Sequence, residues 1–244
     1  MGSIVTDSGE LEAPSRVLIV VAHPDDIDFG MAGTVALLTS AGSHVEYCLA
    51  TSGDAGGDDL EHTTEELAAL RQAEQTAAAG CVGVSELHWL GHPDGMVVAD
   101  LGLRRDIARV IRMVRPDVVI CQTTIPDWDR IYISHPDHLA TATAALAAVY
   151  PDSRNPRAFP ELLDEGHQPH TVEELWLIGT EPNRYIDITD TFDAKVAALR
   201  EHRSQTENME DLDGRLREWC TETARAGGLA NGRLAEAFRV VPAV

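Results

Sequence analysis

Apolar runs and amphipathic stretches alternate along the first 150 residues of the chain. Residues 16–22 are continuously apolar after Arg16, which is typical of a strand buried on both faces. Comparable runs predict strands at residues 44–51, 86–90 and 117–121, and amphipathic spacing predicts helices at residues 33–41, 63–79, 101–114 and 136–149. Strands that alternate with helices in this way favour a parallel sheet with helices on both faces.

The last third of the chain has a less regular pattern. Residues 151–169 are rich in Pro, Asp and Gly and predict a long loop, followed by strands at residues 174–179 and 185–188 and by helical sequence from residue 191 to about residue 237. We therefore predict an α/β fold, a Rossmann-like three-layer sandwich with a mostly parallel sheet. Residues 1–244 are expected to form a single domain, with residues 1–15 as a flexible N-terminal segment.

Composition narrows the classes of function. The 244 residues are 44% hydrophobic and 24% charged, as in ordinary globular proteins, and the net charge is −21. Such an acidic chain is unsuited to nucleic acid or to an anionic membrane surface, both of which bind clustered Lys and Arg. Without a signal peptide or a transmembrane run, and with widely spaced cysteines, we expect a cytoplasmic protein with a small-molecule partner. The pattern leaves a homo-oligomer open.

The tripeptide His-Pro-Asp occurs three times, at residues 23–25, 92–94 and 135–137. Each copy follows a predicted strand, although a loop intervenes before the third. Ligands of open parallel sheets bind outside the carboxyl ends of the strands. We therefore expect the three copies to converge on one crevice at this edge of the sheet.

The first and third copies have the chemistry of a metal site. Histidine nitrogens and aspartate oxygens are good zinc ligands, and a catalytic zinc usually has three protein ligands and one open position. Asp26 lies three residues after His23, and His138 three after His135, so each pair shares a face at the start of a helix. Two histidines and one carboxylate would form the site. One acid and one histidine would remain to take a proton from the attacking water and to stabilise an oxyanion.

These motifs resemble those of the PIG-L/LmbE-like zinc deacetylases, which include N-acetylglucosaminyl-phosphatidylinositol de-N-acetylase and the mycothiol-biosynthesis deacetylase. The resemblance covers roughly residues 16–205. Its strongest marks are residues 22–26 and 135–138, and weaker marks are Arg71, Glu74 and residues 90–95 and 202–205. The resemblance implies a zinc-dependent hydrolase that removes an N-acyl group, usually N-acetyl, from an amino-sugar compound.

The resemblance also implies roles for individual residues. It assigns one zinc ion per chain to His23, Asp26 and His138, with Asp25 as the general base and His135 as the charged hydrogen-bond donor to the tetrahedral intermediate or the leaving amine. Arg71 and Asp94 match substrate-binding positions. Many family members have Glu after the double Asp, whereas this chain has Ile27 and then Asp28. This departure affects the surroundings of the site, because neither position is one of the implied ligands.

Several alternatives stay open at this point. Fe(II) or another divalent metal accepts the same ligand set. The same chemistry serves an amidase of mycothiol-type thiol conjugates, and a metal- or sugar-binding protein without turnover or a two-metal phosphoesterase are further candidates. Arg71 could simply pair with Glu74 on an exposed helix face. His44 and His88 are interpreted as structural, and the glycine-rich residues 51–57 as a flexible active-site loop that binds no nucleotide.

Overall fold

The strands and helices of the computed structural model form three layers. The structure describes residues 3–6, 9–57 and 62–244. The strands are β1 (Ser3–Thr6), β2 (Gly9–Glu12), β3 (Arg16–Val21), β4 (His44–Leu49), β5 (Glu86–Trp89), β6 (Val118–Gln122), β7 (Glu174–Ile178), β8 (Arg184–Asp187) and β9 (Ala235–Pro242). The helices are α1 (Asp26–Ser40), α2 (Thr64–Cys81), α3 (Leu101–Val114), α4 (Pro136–Ala147), α5 (Glu161–Asp164), α6 (Phe192–Glu201), α7 (Arg203–Thr206) and α8 (Leu212–Ala226).

The sheet has a parallel part and an antiparallel part, in the order β2-β1-β8-β9-β7-β6-β3-β4-β5. Strands β7, β6, β3, β4 and β5 pair in parallel, whereas β9, β8, β1 and β2 add antiparallel pairs on the far side of β7. The chain runs from β3 to β4 and β5 on one side and then to β6 on the other. The direction of winding therefore changes beside β3, where open α/β sheets bind their ligands.

Central strand β3 is buried on both faces, as its apolar run predicts. Val17, Ile19 and Val21 face a core formed with α1, α2 and α6, whereas Leu18 and Val20 face a second core formed with α3 and α4. Two helical layers thus cover the sheet. The predicted α/β class and the Rossmann-like three-layer arrangement are confirmed.

Helix α1 begins earlier than its apolar pattern predicts. The predicted start was residue 33, but the helix begins at Asp26. Two aspartates and a glycine interrupt the hydrophobic periodicity of the first turn, and one of them, Asp28, is fully buried. The polar residues that hide the start of this helix are therefore part of the interior rather than of a loop.

The predicted helical end of the chain is wrong. Helix α8 ends at Ala226, and residues 235–242 form β9 between β7 and β8. Ala235 and Glu236 have helical propensity, but hydrogen bonding to two neighbouring strands outweighs that local preference. The structure also places the short helix α5 inside the predicted 151–169 loop. Among the described residues, no helix has both the length and the apolar character needed to cross a membrane.

Candidate active site and metal centre

The first histidine of the site, His23, stands just beyond the carboxyl end of β3. Its side chain is only 8% exposed. Two residues on, the backbone turns sharply at Asp25, whose φ is 82°, and α1 begins at Asp26. The Asp26 Oδ2 atom then accepts a hydrogen bond of 2.8 Å from the His23 backbone N–H. This turn holds the side chains of His23 and Asp26 on the same side of the chain.

The third copy of the motif brings His138 to the same place. The His138 Nε2 atom lies 3.1 Å from His23 Nδ1 and 3.0 Å from Asp26 Oδ1. The third edge, from His23 Nδ1 to Asp26 Oδ2, is 3.6 Å. A tetrahedral zinc with bonds of about 2.0–2.1 Å places its ligand atoms about 3.3–3.4 Å apart. The three predicted ligands therefore lie together at contact distances of this order, with each histidine facing a different oxygen of Asp26.

The charge around His23 also favours a cation. Burial by itself lowers the pKa of His23, but the carboxylates of Asp26 and Asp94 outweigh it and raise that pKa to about 10. Burial would raise the pKa of Asp26, yet His138 and His23 hold it well below the usual range. A cluster that binds a proton so tightly can exchange it for a metal ion, because metal ligands bind in their deprotonated form.

His135 offers a second candidate ligand set. Ligand atoms of His23, His135 and His138 lie within 4.8 Å of one another. However, His135 Nδ1 accepts a hydrogen bond of 3.2 Å from the Asp137 backbone N–H, so the neutral ring carries its proton on Nε2. Burial and the neighbouring His23 lower the pKa of His135, which favours that neutral form. Its geometry is that of a hydrogen-bond donor next to the cluster.

The outer nitrogen of His23 is held by two carboxylates. His23 Nε2 lies 2.9 Å from Asp94 Oδ1 and 3.3 Å from Asp137 Oδ2. Asp137 is fully buried and also accepts hydrogen bonds from the backbone N–H groups of Gly95 and Val97. Carboxylates in this position orient a metal-binding histidine and fix its tautomer. Sequence analysis gave no role to Asp137, although it is the acid of the third His-Pro-Asp.

The second His-Pro-Asp contributes its acid but not its histidine. Asp94 reaches the cluster, whereas His92 Nε2 lies 3.4 Å from Asp106 on α3. The expected convergence of the three copies therefore holds only in part. The assignment of Asp94 to substrate binding stays a prediction, since the contact that the structure shows is with His23.

Asp25 occupies a constrained position beside the cluster. Its backbone N–H donates to Gln75 Oε1 at 2.9 Å, and its Oδ2 accepts from the Arg71 guanidinium at 3.1 Å. Burial, together with the nearby Asp26 carboxylate, raises the pKa of Asp25 to about 7 despite the opposing charge of Arg71. A carboxylate with a pKa near neutrality is suited to accept and release a proton.

Arg71 lies inside the molecule rather than on a surface. It is 3% exposed and donates to the carbonyl oxygens of Pro24, at 2.9 Å, and Gly53, at 3.0 Å. The alternative of an exposed pair with Glu74 is wrong, because Glu74 is also buried and accepts hydrogen bonds from Ser204. Arg71 therefore links the two loops that follow β3 and β4. Its contact with substrate stays a prediction.

A second set of buried hydrogen bonds supports the turn at Asp25. Gln75, whose carbonyl holds Asp25, donates at 2.8 Å to Asp28 Oδ2. The same oxygen lies 2.8 Å from His202 Nε2, and both side chains are fully buried. His202 belongs to a weaker mark of the resemblance, but sequence analysis could not pair it with Asp28. The two positions lie 174 residues apart along the chain.

A cavity of about 780 Å³ opens beside the cluster. It runs from Asp26 and His138 past the loop after β6 toward α8, where Trp219 lines its wall. Its size is within the range of small-molecule sites, roughly 300–1,000 Å³. The candidate metal centre thus lies at one end of a space large enough for an organic substrate.

The fold and the site define a class: a Rossmann-like α/β protein with a histidine–aspartate cluster that could hold a metal at the carboxyl edge of its sheet. Residues 18–149 match the PIG-L family, described as GlcNAc-PI de-N-acetylase. The chain belongs to this family. The predicted family and the predicted class of enzyme, an amidohydrolase that acts on N-acetyl amides, are confirmed.

Full-length relatives agree with this placement. The chain is 33% identical to the diacetylchitobiose deacetylase of Thermococcus kodakarensis, over 94% of this chain and 84% of that one. It is 32% identical to a probable N-acetyl-alpha-D-glucosaminyl L-malate deacetylase of Bacillus cereus, over 83% and 89%. The structure of the N,N'-diacetylchitobiose deacetylase from Pyrococcus horikoshii superposes with a TM-score of 0.86 and 32% identity, covering 94% of this chain and 85% of that one.

Proposed function

We propose that this chain removes the N-acetyl group of an amino-sugar compound, with one zinc ion held by His23, Asp26 and His138. The observation that carries the proposal is the convergence of these side chains, at 3.0–3.6 Å, next to Asp25 and a cavity. Its relatives include deacetylases of diacetylchitobiose and of N-acetylglucosaminyl malate. The two-histidine-one-carboxylate set fits zinc, and it also fits Fe(II).

Asp25 is the proposed general base for the attacking water. A zinc ion bound here supplies positive charge that polarises the amide carbonyl and makes water more acidic. Asp25 takes the proton from the attacking water, and the pKa of its carboxyl, raised to about 7, lets it hold that proton. Arg71 donates to the Asp25 carboxylate and Gln75 accepts from the Asp25 backbone N–H, so the proton acceptor is positioned before substrate arrives.

His135 completes the reaction on the other side of the cluster. Its Nδ1 is engaged by the Asp137 N–H, which leaves the Nε2 proton free to face the reacting carbonyl. A donor there stabilises the negative charge that develops on the amide oxygen. When the C–N bond breaks, the proton taken by Asp25 passes to the leaving nitrogen, and the products are acetate and a free amine.

Arg71 and Asp94, predicted to bind substrate, act in this proposal mainly through other residues. Arg71 is buried and donates to Asp25 and to two backbone carbonyls. Asp94 accepts from the Ala55 N–H with one oxygen and contacts His23 with the other. Each residue therefore positions a member of the site, and direct contact with the sugar would come in addition.

The charges that line the cavity favour a substrate in which the group attached to the N-acetylated sugar is neutral. Among the described residues that line it, both Lys and Arg side chains already have a partner: Lys195 lies 2.7 Å from Glu236, and Arg130 lies 2.9 Å from Asp127. The lining carboxylates are Asp26, Asp127, Glu181 and Glu236. Because Asp127 and Glu236 are those partners, these ion pairs leave no free Lys or Arg in the described lining to receive an anionic group such as malate, whereas a second neutral sugar needs none.

The experiment is an acetate-release screen with metal content measured in parallel. The panel contains N-acetylglucosamine glycosides with neutral and with anionic aglycones, and glucosamine amides of N-acetylcysteine thiol conjugates, whose cleavage is followed by release of the sugar amine because it yields no acetate. We expect acetate from the neutral glycosides and about one zinc per active site. Faster cleavage of the conjugates would favour the amidase alternative, and no acetate from any member would favour a binding protein. Preference for anionic aglycones would refute only the charge argument.

A further inference from the structure

A second group of histidines and carboxylates lies at the opposite end of the parallel sheet. It consists of His44 and Glu46 on β4 and Glu86 and His88 on β5, and we call it the edge cluster. In the parallel register Glu46 pairs with Glu86, so the two carboxylates are neighbours on one face of the sheet. His44 and His88 lie two residues from them along their own strands and share that face. Strand β5 is the outermost strand on this side.

Among the described residues, the buried carboxylate at the centre of the edge cluster has one partner of fixed charge, and that partner is distant. Glu46 has a side-chain exposure of 5%, and its two oxygens lie 2.9 Å from His44 Nε2 and 2.7 Å from His88 Nε2. The nearest guanidinium, that of Arg16, is 4.0 Å away. Directly opposed carboxylates repel each other, and a bound cation would relieve that repulsion.

The ligand atoms of the edge cluster are spaced like those of the catalytic one. Atoms of His44, Glu46 and Glu86 lie within 4.8 Å of one another. His44 Nε2 is 2.9 Å from Glu46 Oε1 and 3.8 Å from Glu86 Oε1. These lengths bracket the ligand separation of about 3.3–3.4 Å in a tetrahedral zinc site. Among His23, Asp26 and His138 the contacts are 3.0–3.6 Å, with both oxygens of Asp26 taking part.

We propose that His44, Glu46 and Glu86 bind a second divalent metal ion of the zinc class, with His88 holding the other oxygen of Glu46. Imidazole and carboxylate ligands suit Zn²⁺, Co²⁺ or Ni²⁺. His44 lies roughly 17 Å from the carboxyl end of β4, and Glu46 and Glu86 each lie three residues, roughly 10 Å, from the carboxyl ends of their strands. The ion therefore takes no part in the reaction. It ties β5, a strand of four residues, to its neighbour β4.

The test is a count of bound metal. Wild-type protein, stripped of metal and then dialysed against buffered Zn²⁺, is expected to bind two equivalents. His44→Gln and Glu86→Gln remove exposed ligands, with side chains 47% and 55% exposed, and each should leave one equivalent and unchanged acetate release. In a His138→Ala background, which removes a catalytic ligand, the edge site should keep one equivalent. Adding Glu86→Gln to that background should leave none.

A matched control keeps the test specific to the edge cluster. His167→Gln removes a histidine that lies 3.8 Å from the single carboxylate of Glu165, and it should leave two equivalents. Zinc should also raise the melting temperature of His138→Ala, and Glu86→Gln should abolish that rise. One equivalent in wild type and none in His138→Ala would overturn the proposal. So would a second equivalent that survives both edge substitutions.

Discussion

Two histidine–carboxylate clusters lie toward opposite edges of the same parallel sheet: the proposed catalytic cluster of His23, Asp26 and His138, and the edge cluster. Their surroundings differ. The catalytic cluster stands at the carboxyl edge, where loops, a helix start and a cavity of about 780 Å³ meet. The edge cluster lies on the regular backbone of β4 and β5, where two of its side chains are about half exposed. Similar ligand types therefore occur in two different surroundings. The proposed catalytic cluster differs from the edge cluster because Asp25, His135 and a cavity for substrate lie beside it.

The largest expected effect comes from removing a catalytic metal ligand. His138→Ala should abolish acetate release and one equivalent of bound zinc, because only two of the three proposed ligands remain. His92→Gln is the matched control: it changes a histidine of another His-Pro-Asp, which contacts Asp106 and not the cluster. It should retain activity and metal. Full zinc binding at the catalytic cluster of His138→Ala would contradict the ligand assignment.

A substitution at His135 distinguishes between the two candidate ligand sets, one with Asp26 and one with His135. If His135 donates a hydrogen bond to the reacting oxygen, His135→Gln should lower kcat by about 10²–10³-fold and leave zinc affinity unchanged. Single-substrate kinetics and zinc titration of the same preparation provide both quantities. Loss of zinc in this variant would instead make His135 a ligand, as in the three-histidine set.

Replacing Asp137 should have a smaller effect, which we expect on the affinity for zinc. Asp137→Asn removes a carboxylate that lies 3.3 Å from His23 Nε2, and zinc affinity should fall by about 10–100-fold. Competition with a chromophoric chelator measures this affinity. Asp152→Asn is a suitable control, because Asp152 is likewise buried but pairs with Arg104 elsewhere. If both variants lost stability alike and neither changed zinc affinity, Asp137 would be structural only.

The smallest expected effect on activity belongs to the edge cluster. Glu86→Gln should leave kcat and KM within about twofold of wild type, because the proposed ligands of the edge cluster lie roughly 10–17 Å from the carboxyl ends of β4 and β5. Acetate-release kinetics at saturating zinc measure this. A large fall in kcat at full catalytic-site occupancy would show that the two ends of the sheet are coupled.

The parallel half of the fold could be predicted because its strands are short apolar runs separated by clear helix signals. Strand β9 could not, since Ala235 and Glu236 look helical and only pairing with β7 and β8 makes them a strand. The start of α1 was hidden for a different reason. Its first turn contains Asp26 and Asp28, which break the apolar pattern while lying in the interior.

The candidate site also has a part that the sequence predicts and a part that it does not. Clustered residues such as His23, Asp26 and His138 could be proposed from two short motifs. Contacts between distant segments could not, and these include Gln75 with Asp25 and His202 with Asp28. Nothing in the local sequence indicated that Arg71 would be buried. The sequence therefore predicts the reactive residues of the site but not the long-range hydrogen bonds that hold them in place.

The most direct test of the account is Asp25→Asn, with acetate release and zinc content measured on one preparation. Asparagine keeps the size of the side chain and tolerates the positive φ of 82° at this position, whereas alanine would strain it. We expect full zinc occupancy with kcat lowered by about 10²–10⁴-fold, because the proton acceptor is gone. Zinc-loaded Asp25→Asn that released acetate at the wild-type rate would contradict it.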